Sequence, residues 1–178
     1  DIMTSAGLFG KITSRSTYLP QAMSLAYQGH VMVAEKKSCM ANYVRPAITE
    51  TFNMPVILLI GTSMSAGKTT SARVIIRLLK QSGYKVAGAK LTGAGRYRDA
   101  LSLADAGADH IFDFMDIGLP STVCDPDQFR PLLRQLMYRI DDAKADVLVA
   151  EAGASPLEPY NGSVAVEELE PWVRCTVL

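Results

Sequence analysis

The sequence predicts an α/β protein in which a mostly parallel sheet is flanked by helices, preceded by a small β-rich unit. After about residue 50, apolar runs of strand length alternate with amphipathic stretches of helical length, the pattern of parallel β-α-β units. The first apolar run, residues 55–60, leads into a glycine-rich turn and then a helical stretch. Residues 1–50 lack this alternation and consist of short segments separated by Gly and Pro.

Five strands are predicted from apolar runs, of which the first is rich in β-branched residues and leucine, as in strands buried on both faces. In chain order they cover residues 55–60, 85–91, 110–114, 146–150 and 173–178. Three helices are predicted from the spacing of apolar residues and from start and stop signals. They cover residues 68–81, 98–106 and 127–142. The first helix is expected to bury Val74, Ile75, Leu78 and Leu79, and the third Phe129, Leu132, Leu133, Leu136, Met137 and Ile140.

The domain organisation is predicted to change near residue 50. Residues 1–50 are expected to form a small β-rich or irregular unit, with short segments at 8–14, 24–27, 30–34 and 38–44. Residues 51–178 are expected to form the main domain. Because the chain does not begin with Met and stops within a strand-like run, we expect a fragment whose main domain is cut short at its C-terminus.

Composition excludes several classes of protein. The 178 residues are 48% hydrophobic and 20% charged, which is typical of one globular domain, with room for a small appendage. Eighteen basic residues balance eighteen acidic ones, so no nucleic-acid partner and no polybasic membrane surface are expected. The longest apolar run, residues 56–60, is far too short to span a bilayer. No secretory signal is visible, and three widely spaced cysteines are interpreted as reduced thiols in a cytoplasmic protein.

The turn at residues 61–70 reads Gly-Thr-Ser-Met-Ser-Ala-Gly-Lys-Thr-Thr and predicts a phosphate-binding loop. A helix amino terminus offers unpaired backbone N–H groups and the positive end of the helix dipole. Lys68 can reach the β- and γ-phosphates, and the Thr69 hydroxyl can bind Mg²⁺. A glycine-rich turn that contains a lysine by chance is the alternative, which the preceding strand and the following helix disfavour. Nucleotide contacts are predicted for Gly61, Thr62, Ser65, Ala66, Gly67, Lys68, Thr69 and Thr70.

Charged residues near the ends of two other predicted strands are candidates for the same site. Glu151 follows an apolar run and opens a turn of small residues, where a carboxylate can hold magnesium directly or through water. Lys90 ends the second predicted strand, and Asp99 follows the next glycines. From the pattern alone, a solvated Glu, a surface Lys and a helix-capping Asp stay open as alternatives. Asp113 and Asp116 could line the site, but turn residues are the favoured interpretation.

These segments together resemble the dethiobiotin synthetase-like group of P-loop proteins, which includes dethiobiotin synthetase and the cobyric and cobyrinic acid synthases. Their loop reads Gly-Thr-x-x-x-x-Gly-Lys-Thr, the spacing of residues 61–69. The generic phosphate loop has its first Gly one position later, where this chain has Thr62. Dethiobiotin synthetases continue with Ala-Gly-x-Lys, Asp-Ala-Leu and Val-Leu-Val-Glu-Gly-Ala-Gly, similar to residues 87–90, 99–101 and 147–153. The resemblance covers about residues 55–160.

The resemblance implies a P-loop NTPase fold and a Mg²⁺-dependent, ATP-consuming ligase. In dethiobiotin synthetase a diamine is carboxylated, and the carbamate attacks the γ-phosphate before the ring closes. By this resemblance, Lys68 and Lys90 contact the phosphates and the carboxylated or acyl-phosphate intermediate, and Thr69, Asp99 and Glu151 surround Mg²⁺. The implied partners are ATP and a small carboxylic acid or amine, and family members often form homodimers with the acceptor site between subunits.

Two other functions stay open because the chain departs from the synthetase pattern. Met64 and Ser65 stand where the synthetase loop has Thr and Glu, and residues 151–155 replace its Glu-Gly-Ala-Gly-Gly turn. The first alternative is a nucleotide-switch NTPase that regulates a partner or a metabolic complex. MinD-like switches carry Lys at the position of Ser63, and no Asn-Lys-x-Asp guanine motif is present, which argues against this class. The second alternative is a regulatory or binding fragment that is inactive by itself.

Overall fold

The computed structural model describes residues 2–3, 9–14, 16–18, 23–63, 65–153 and 155–178. Met64 of the predicted loop, Ala154 of the turn after Glu151, and Leu8 of the first N-terminal segment lie outside the described residues. Two antiparallel pairs of two-residue strands come first in the chain. They are β1 (Ile2–Met3) with β2 (Phe9–Gly10), and β3 (Met32–Val33) with β4 (Lys36–Lys37).

Within the described residues, the central sheet has five strands, all parallel, in the order β7-β6-β8-β5-β9. These strands are β5 (Val56–Leu59), β6 (Val86–Thr92), β7 (His110–Asp113), β8 (Val147–Ala152) and β9 (Val173–Val177). Every residue of β6 and β8 is buried, because both strands lie inside the sheet and helices cover both of its faces. The predicted α/β class with a parallel sheet is therefore confirmed.

Four α-helices flank the sheet in the part of the chain that the structure describes. They are α1 (Lys68–Gln81), α2 (Tyr97–Asp105), α3 (Pro126–Asp142) and α4 (Gly162–Leu169). Helices α1 and α2 pack on one face of the sheet, and α3 and α4 pack on the other. Short 3-10 helices occur at Met40–Tyr43, Phe114–Ile117 and Glu170–Trp172.

Helix α4 is not among the predicted elements. It has only eight residues and begins with Gly162, a residue with low helix propensity. The preceding Asn161 has a φ of 60°, so the chain enters the helix through a left-handed residue. Its side chain donates hydrogen bonds to the carbonyl oxygens of Thr122 and Cys124, at 2.8 and 3.0 Å. The helix is therefore anchored by contacts with a distant loop, which sequence periodicity does not report.

The apolar core has one layer on each face of the sheet. The larger layer contains Phe129, Leu133 and Leu136 of α3, all fully buried, and each such side chain stabilises the fold by about 1.5–3 kcal/mol. The layer under α1 and α2 is thinner. At Gly88 of β6 a Cβ atom would lie 3.1 Å from Cβ of Leu103, so the glycine lets α2 pack closely on the sheet.

The predicted apolar face of α1 is wrong at two positions. Val74 and Leu78 are 55% and 57% exposed, whereas Ala72 and Ile76 are buried against the sheet. Ile75 and Leu79 pack at the edge of the same layer. Residues two positions apart lie on nearly opposite sides of a helix, so Ile76 and the small Ala72, rather than Val74 and Leu78, complete the buried stripe with Ile75 and Leu79. The predicted buried face of α3 is correct, with Leu132 at its margin.

Residues 41–53 lie along the main domain near α3. The backbone N–H groups of Ile48 and Thr49 donate to the Asp142 carboxylate, and that of Asn53 donates to Asp141. At the start of this segment, the backbone of Ala41 lies so close to Gly118 that a Cβ on Gly118 would approach it to 2.9 Å. The segment is therefore held to the main domain by hydrogen bonds from its backbone N–H groups to two α3 carboxylates, and an independent β-rich N-terminal unit stays a prediction.

Two further properties follow from the described residues. None of their helices has the length and apolar character needed to cross a membrane. Cys39, Cys124 and Cys175 carry free thiols, of which those of Cys39 and Cys175 are exposed.

The sheet has a topological switch point between β5 and β8. Strand β5 connects through α1 to β6, on the far side of β8, whereas β8 connects through α4 to β9, on the far side of β5. The two connections leave neighbouring strands in opposite directions, which opens a crevice at the carboxyl ends of those strands. Ligands bind in such crevices in open α/β sheets.

Candidate functional site

The loop between β5 and α1, residues 61–67, lies at this crevice. Ser65 and Gly67 adopt left-handed conformations, with φ values of 65° and 95°. Helix α1 begins after Gly67 with no capping side chain and no acidic residue in its first turn. No carboxylate of the helix itself therefore compensates its positive end, and its first backbone N–H groups favour an anion at this position.

Lys68 folds back over this loop. Its Nζ donates a hydrogen bond to the carbonyl oxygen of Ser63 at 2.7 Å, and the residue is only 8% exposed. The side chain lies against Gly61, where a Cβ atom would come within 3.2 Å of Cγ, Cδ and Nζ of Lys68. The glycine one position ahead of the generic spacing thus provides the room that Lys68 occupies.

Thr69 and Glu151 connect the start of α1 to strand β8. The Thr69 hydroxyl donates to Oε2 of Glu151 at 2.8 Å. Glu151 is buried, and this burial raises the pKa of its carboxyl group, while the Thr69 hydrogen bond and then the charges of Lys90 and Lys68 act in the opposite direction. The strand continues one residue beyond Glu151, to Ala152, so the predicted strand end is close to the observed one.

Lys90 and Asp99 form a close ion pair beside the crevice. Nζ of Lys90 lies 2.5 Å from Oδ2 of Asp99 and donates to the carbonyl oxygen of Ala94 at 3.2 Å. Its stem passes Gly93, where a Cβ would lie 3.3 Å from Cε of Lys90. Gly93 in the turn after β6 therefore leaves room for the Lys90 side chain, as Gly61 leaves room for Lys68.

The strand register places three ionisable residues side by side. Lys90 of β6 is the register partner of Asp113 on β7 and of Glu151 on β8. Residues paired in register on parallel strands have their side chains on the same face of the sheet. All three are buried. The Lys90 side chain therefore leaves the sheet between Asp113 and Glu151, two acidic residues at the carboxyl edge of the sheet.

One cavity of about 370 Å³ collects most of the predicted site residues. The loop and α1 line it with Ser65, Gly67, Lys68, Thr69 and Thr70. Strands β6 and β8 line it with Lys90 and Glu151, and α2 lines it with Asp99. The other three predicted nucleotide contacts, Gly61, Thr62 and Ala66, line a smaller cavity of about 170 Å³, next to Val177 and Leu178. Lys68 lines both cavities. The fold therefore brings four separated sequence segments together.

Five further residues that line the 370 Å³ cavity were not predicted from the sequence, namely Gly93, Ala94, Arg96, Gly153 and Tyr160. The first three belong to the glycine-rich turn between Lys90 and Asp99, so their position between two candidates was a usable signal. Tyr160 gives no such signal. It precedes the unpredicted helix α4, and its carbonyl oxygen accepts a hydrogen bond of 2.7 Å from the Thr122 hydroxyl.

Asp113 is a buried carboxylic acid that does not line this cavity. One carboxyl oxygen accepts from the backbone N–H of Met115 and caps the 3-10 helix Phe114–Ile117, as a turn residue does. The other oxygen, Oδ2, has no hydrogen-bond partner among the described residues. Burial raises the pKa of Asp113 to about 7, against the opposing hydrogen bond from Met115 and the charge of Lys90. Asp116 accepts from the Asp113 N–H at 2.9 Å.

The oxygen donors at the cavity fit a magnesium ion that is held together with a nucleotide. Thr69 and Glu151 are in contact, and Asp99 lines the same cavity. Magnesium prefers oxygen ligands and commonly takes one or two carboxylates, with phosphates and water completing its shell. Across the described part of the chain, no three His, Cys, Asp or Glu side chains form a metal-binding group, so these residues do not make an all-protein cage.

No protein-family model and no curated protein matches the chain.

Proposed function

We propose that the protein is a Mg²⁺-dependent ATP-binding enzyme that activates a small carboxylate or carbamate by phosphoryl transfer, as a dethiobiotin synthetase-like ligase does. The observation that supports this most is the shared cavity, where Lys68, Thr69, Lys90, Asp99 and Glu151 meet. A P-loop identity for residues 61–70 and a cytoplasmic location, where thiols stay reduced, belong to the same proposal.

The loop and α1 bind the triphosphate in this proposal. The uncapped amino terminus of α1 supplies backbone N–H groups, and the left-handed residues Ser65 and Gly67 shape the loop around an anion. Lys68 leaves the Ser63 carbonyl oxygen to contact the β- and γ-phosphates. That carbonyl is a weaker partner than a phosphate, because hydrogen bonds between two charged groups are the stronger ones.

Thr69, Asp99 and Glu151 hold the metal in this proposal. Their oxygen atoms are the hard donors that magnesium takes, with Glu151 acting directly or through water. When bound, the ion neutralises charge on the β- and γ-phosphate oxygens. The hydrogen bond from Thr69 to Glu151 orients both groups at the mouth of the crevice.

In this proposal Lys90 faces the acceptor and completes the charge compensation. An oxygen of the acceptor carboxylate or carbamate forms a bond to the γ-phosphorus, while the bond from that phosphorus to the β,γ-bridging oxygen breaks. ADP leaves with the electron pair. Lys68 and Lys90 stabilise negative charge on either side of the transferred group, so the protein contributes chiefly positioning and electrostatic stabilisation.

Phosphate release from ATP tests this proposal. The protein is assayed with Mg²⁺ and a panel of small carboxylic acids, and of amines with bicarbonate. We expect at least one compound to raise phosphate release above the basal rate, and the Lys68→Ala variant to abolish the increase. Turnover that no metabolite changes would count against a ligase. If the assembly state also differed between ADP and a non-hydrolysable ATP analogue, a nucleotide switch would be the better description.

A further inference from the structure

Asp99 has two roles that compete in the proposed function. Its Oδ2 atom pairs with Lys90 at 2.5 Å, and its Oδ1 atom lies 3.8 Å from the exposed Arg98. The proposed function also requires Asp99 near a cation. If Asp99 turned from Lys90 to a cation, the ammonium would lose its only carboxylate hydrogen-bond partner among the described residues. A buried charge without a partner is costly.

Asp113 lies where a second partner for Lys90 is needed. The two residues are paired in register on neighbouring parallel strands, so their side chains share one face of the sheet. Asp113 is 3% exposed, and its Oδ2 atom has no hydrogen-bond partner in the described part of the chain. Native proteins rarely leave a buried carboxyl oxygen unsatisfied, so this oxygen requires an explanation.

Lys90 has the donor capacity to serve Asp113. An ammonium group carries three hydrogens, and within the described residues Lys90 uses acceptors on Asp99 and Ala94. Its long and flexible stem can change rotamer more readily than the Asp113 side chain, which is held by the cap of the 3-10 helix Phe114–Ile117. The lysine is therefore the group that moves, and Asp113 is the fixed acceptor.

We propose that Asp113 is a positioning residue that receives the Lys90 ammonium when Asp99 engages a cation. The proposal rests on the proposed function, because Mg²⁺ and ATP are what draw Asp99 away. Lys90 then stays charged and stays at the cavity, held by a carboxylate that contacts neither the metal nor the substrate. The exchange of Asp99 for Asp113 as the partner of Lys90 depends on the strand register, which aligns Asp113, Lys90 and Glu151 in one row across three strands.

The test compares nucleotide affinity with and without Mg²⁺. A fluorescent ATP analogue with a methylanthraniloyl label is titrated into the full chain in Mg²⁺ and in EDTA. In Asp113→Asn we expect the affinity gained from Mg²⁺ to fall about tenfold or more, as for the loss of a hydrogen bond between charged groups. Nucleotide affinity in EDTA should change less than about twofold, because without Mg²⁺ the ion pair between Lys90 and Asp99 stays formed. A residue with a merely structural role would weaken both affinities.

Asp116→Asn is the matched control. Asp116 belongs to the same helix cap and accepts from the Asp113 N–H, but it is not in the row with Lys90. We expect its Mg²⁺-dependent gain to stay within about twofold of the unmodified protein. If Asp113→Asn keeps the full gain, the proposal is wrong although nucleotide binding stands. If the unmodified chain binds no nucleotide, the proposed function fails and takes this inference with it.

A crystal structure of the unmodified protein with Mg²⁺ and a non-hydrolysable ATP analogue covers the case in which Asp113→Asn does not fold. We expect Nζ of Lys90 within hydrogen-bond distance of Oδ2 of Asp113, and the Lys90–Asp99 contact broken. A complex in which Lys90 still pairs with Asp99 while Asp113 stays without it would overturn the proposal.

Discussion

The two edges of the central sheet use carboxylates in opposite ways. At the amino edge, Asp109 accepts from the Val86 N–H and pairs with Lys80, each at 2.7 Å. Asp146 and Asp142 likewise accept from backbone N–H groups at that edge. At the carboxyl edge, Glu151 and Asp113 are buried, and one oxygen of Asp113 has no partner among the described residues.

The pKa values of these acids follow the same division. Hydrogen bonds from Lys80 and the Val86 N–H lower the pKa of Asp109, and the Ile48 N–H lowers that of Asp142. Burial raises the pKa of Glu151, and that of Asp113 to about 7. The folded state therefore favours the ionised acids at one edge and disfavours them at the other. Buried acids whose ionisation lowers the stability of the fold are typical of a functional site.

The largest expected effect is that of Lys68→Ala. Removing the buried ammonium that faces the proposed phosphates should weaken ATP binding or turnover by about 100-fold or more. The free energy of unfolding should change less than nucleotide binding does, because the hydrogen bond from Lys68 to Ser63 ends on the carbonyl oxygen of an exposed residue. Lys80→Ala, on the same helix but paired with Asp109 at the other edge, is the control. It should keep nucleotide affinity and lose about 0.5 kcal/mol of stability, measured by denaturant titration.

Glu151→Gln should separate function from stability. We expect turnover to fall by about 10- to 100-fold, since a neutral amide is a poor magnesium ligand. Because the pKa of Glu151 is raised in the fold, its ionisation lowers stability as pH rises above the unfolded value of about 4.5. The melting temperature of the variant should therefore exceed that of the unmodified protein at pH 8, and the difference should close towards pH 4. A variant that melts lower at pH 8 would contradict this account.

Asp142→Asn should show the opposite pH dependence. The Ile48 N–H and Thr49 lower the pKa of Asp142. The contribution of Asp142 to the free energy of unfolding is therefore present above its unfolded pKa and is lost as the pH falls through its folded pKa. We expect a loss of about 1 kcal/mol at pH 7, since water screens this partly exposed group, and a smaller loss at pH 3. Denaturant titration at both pH values measures it. Nucleotide affinity should not change.

Gly61→Ala should have the smallest effect. The new methyl group would lie 3.2 Å from three atoms of the Lys68 side chain, which is flexible and can shift. We expect ATP affinity to fall by about threefold, equivalent to about 0.7 kcal/mol. If the effect acts through Lys68, it should vanish in the Lys68→Ala background. A loss of the same size in both backgrounds would indicate a distortion of the loop itself.

The residues of the site could be predicted where they are neighbours in the sequence or stand at the carboxyl ends of predicted strands. The loop with Lys68 and Thr69 is contiguous, so its residues and the helix that follows stand together in the sequence. Lys90 and Glu151 were predicted because parallel strands bring their carboxyl ends to one edge, and both line the cavity. Tyr160 was missed because it depends on a hydrogen bond to Thr122, 38 residues earlier.

The sequence by itself determined the α/β class, the strand-to-helix loop and the charged residues at the strand ends, because these follow from apolar periodicity and from backbone groups that are neighbours in the chain. Only the tertiary structure decided the strand order. Strand β8 lies between β6 and β5, and the register aligns Lys90 with Asp113 and Glu151. Register depends on burying both faces of the sheet at once, which is a property of the whole fold.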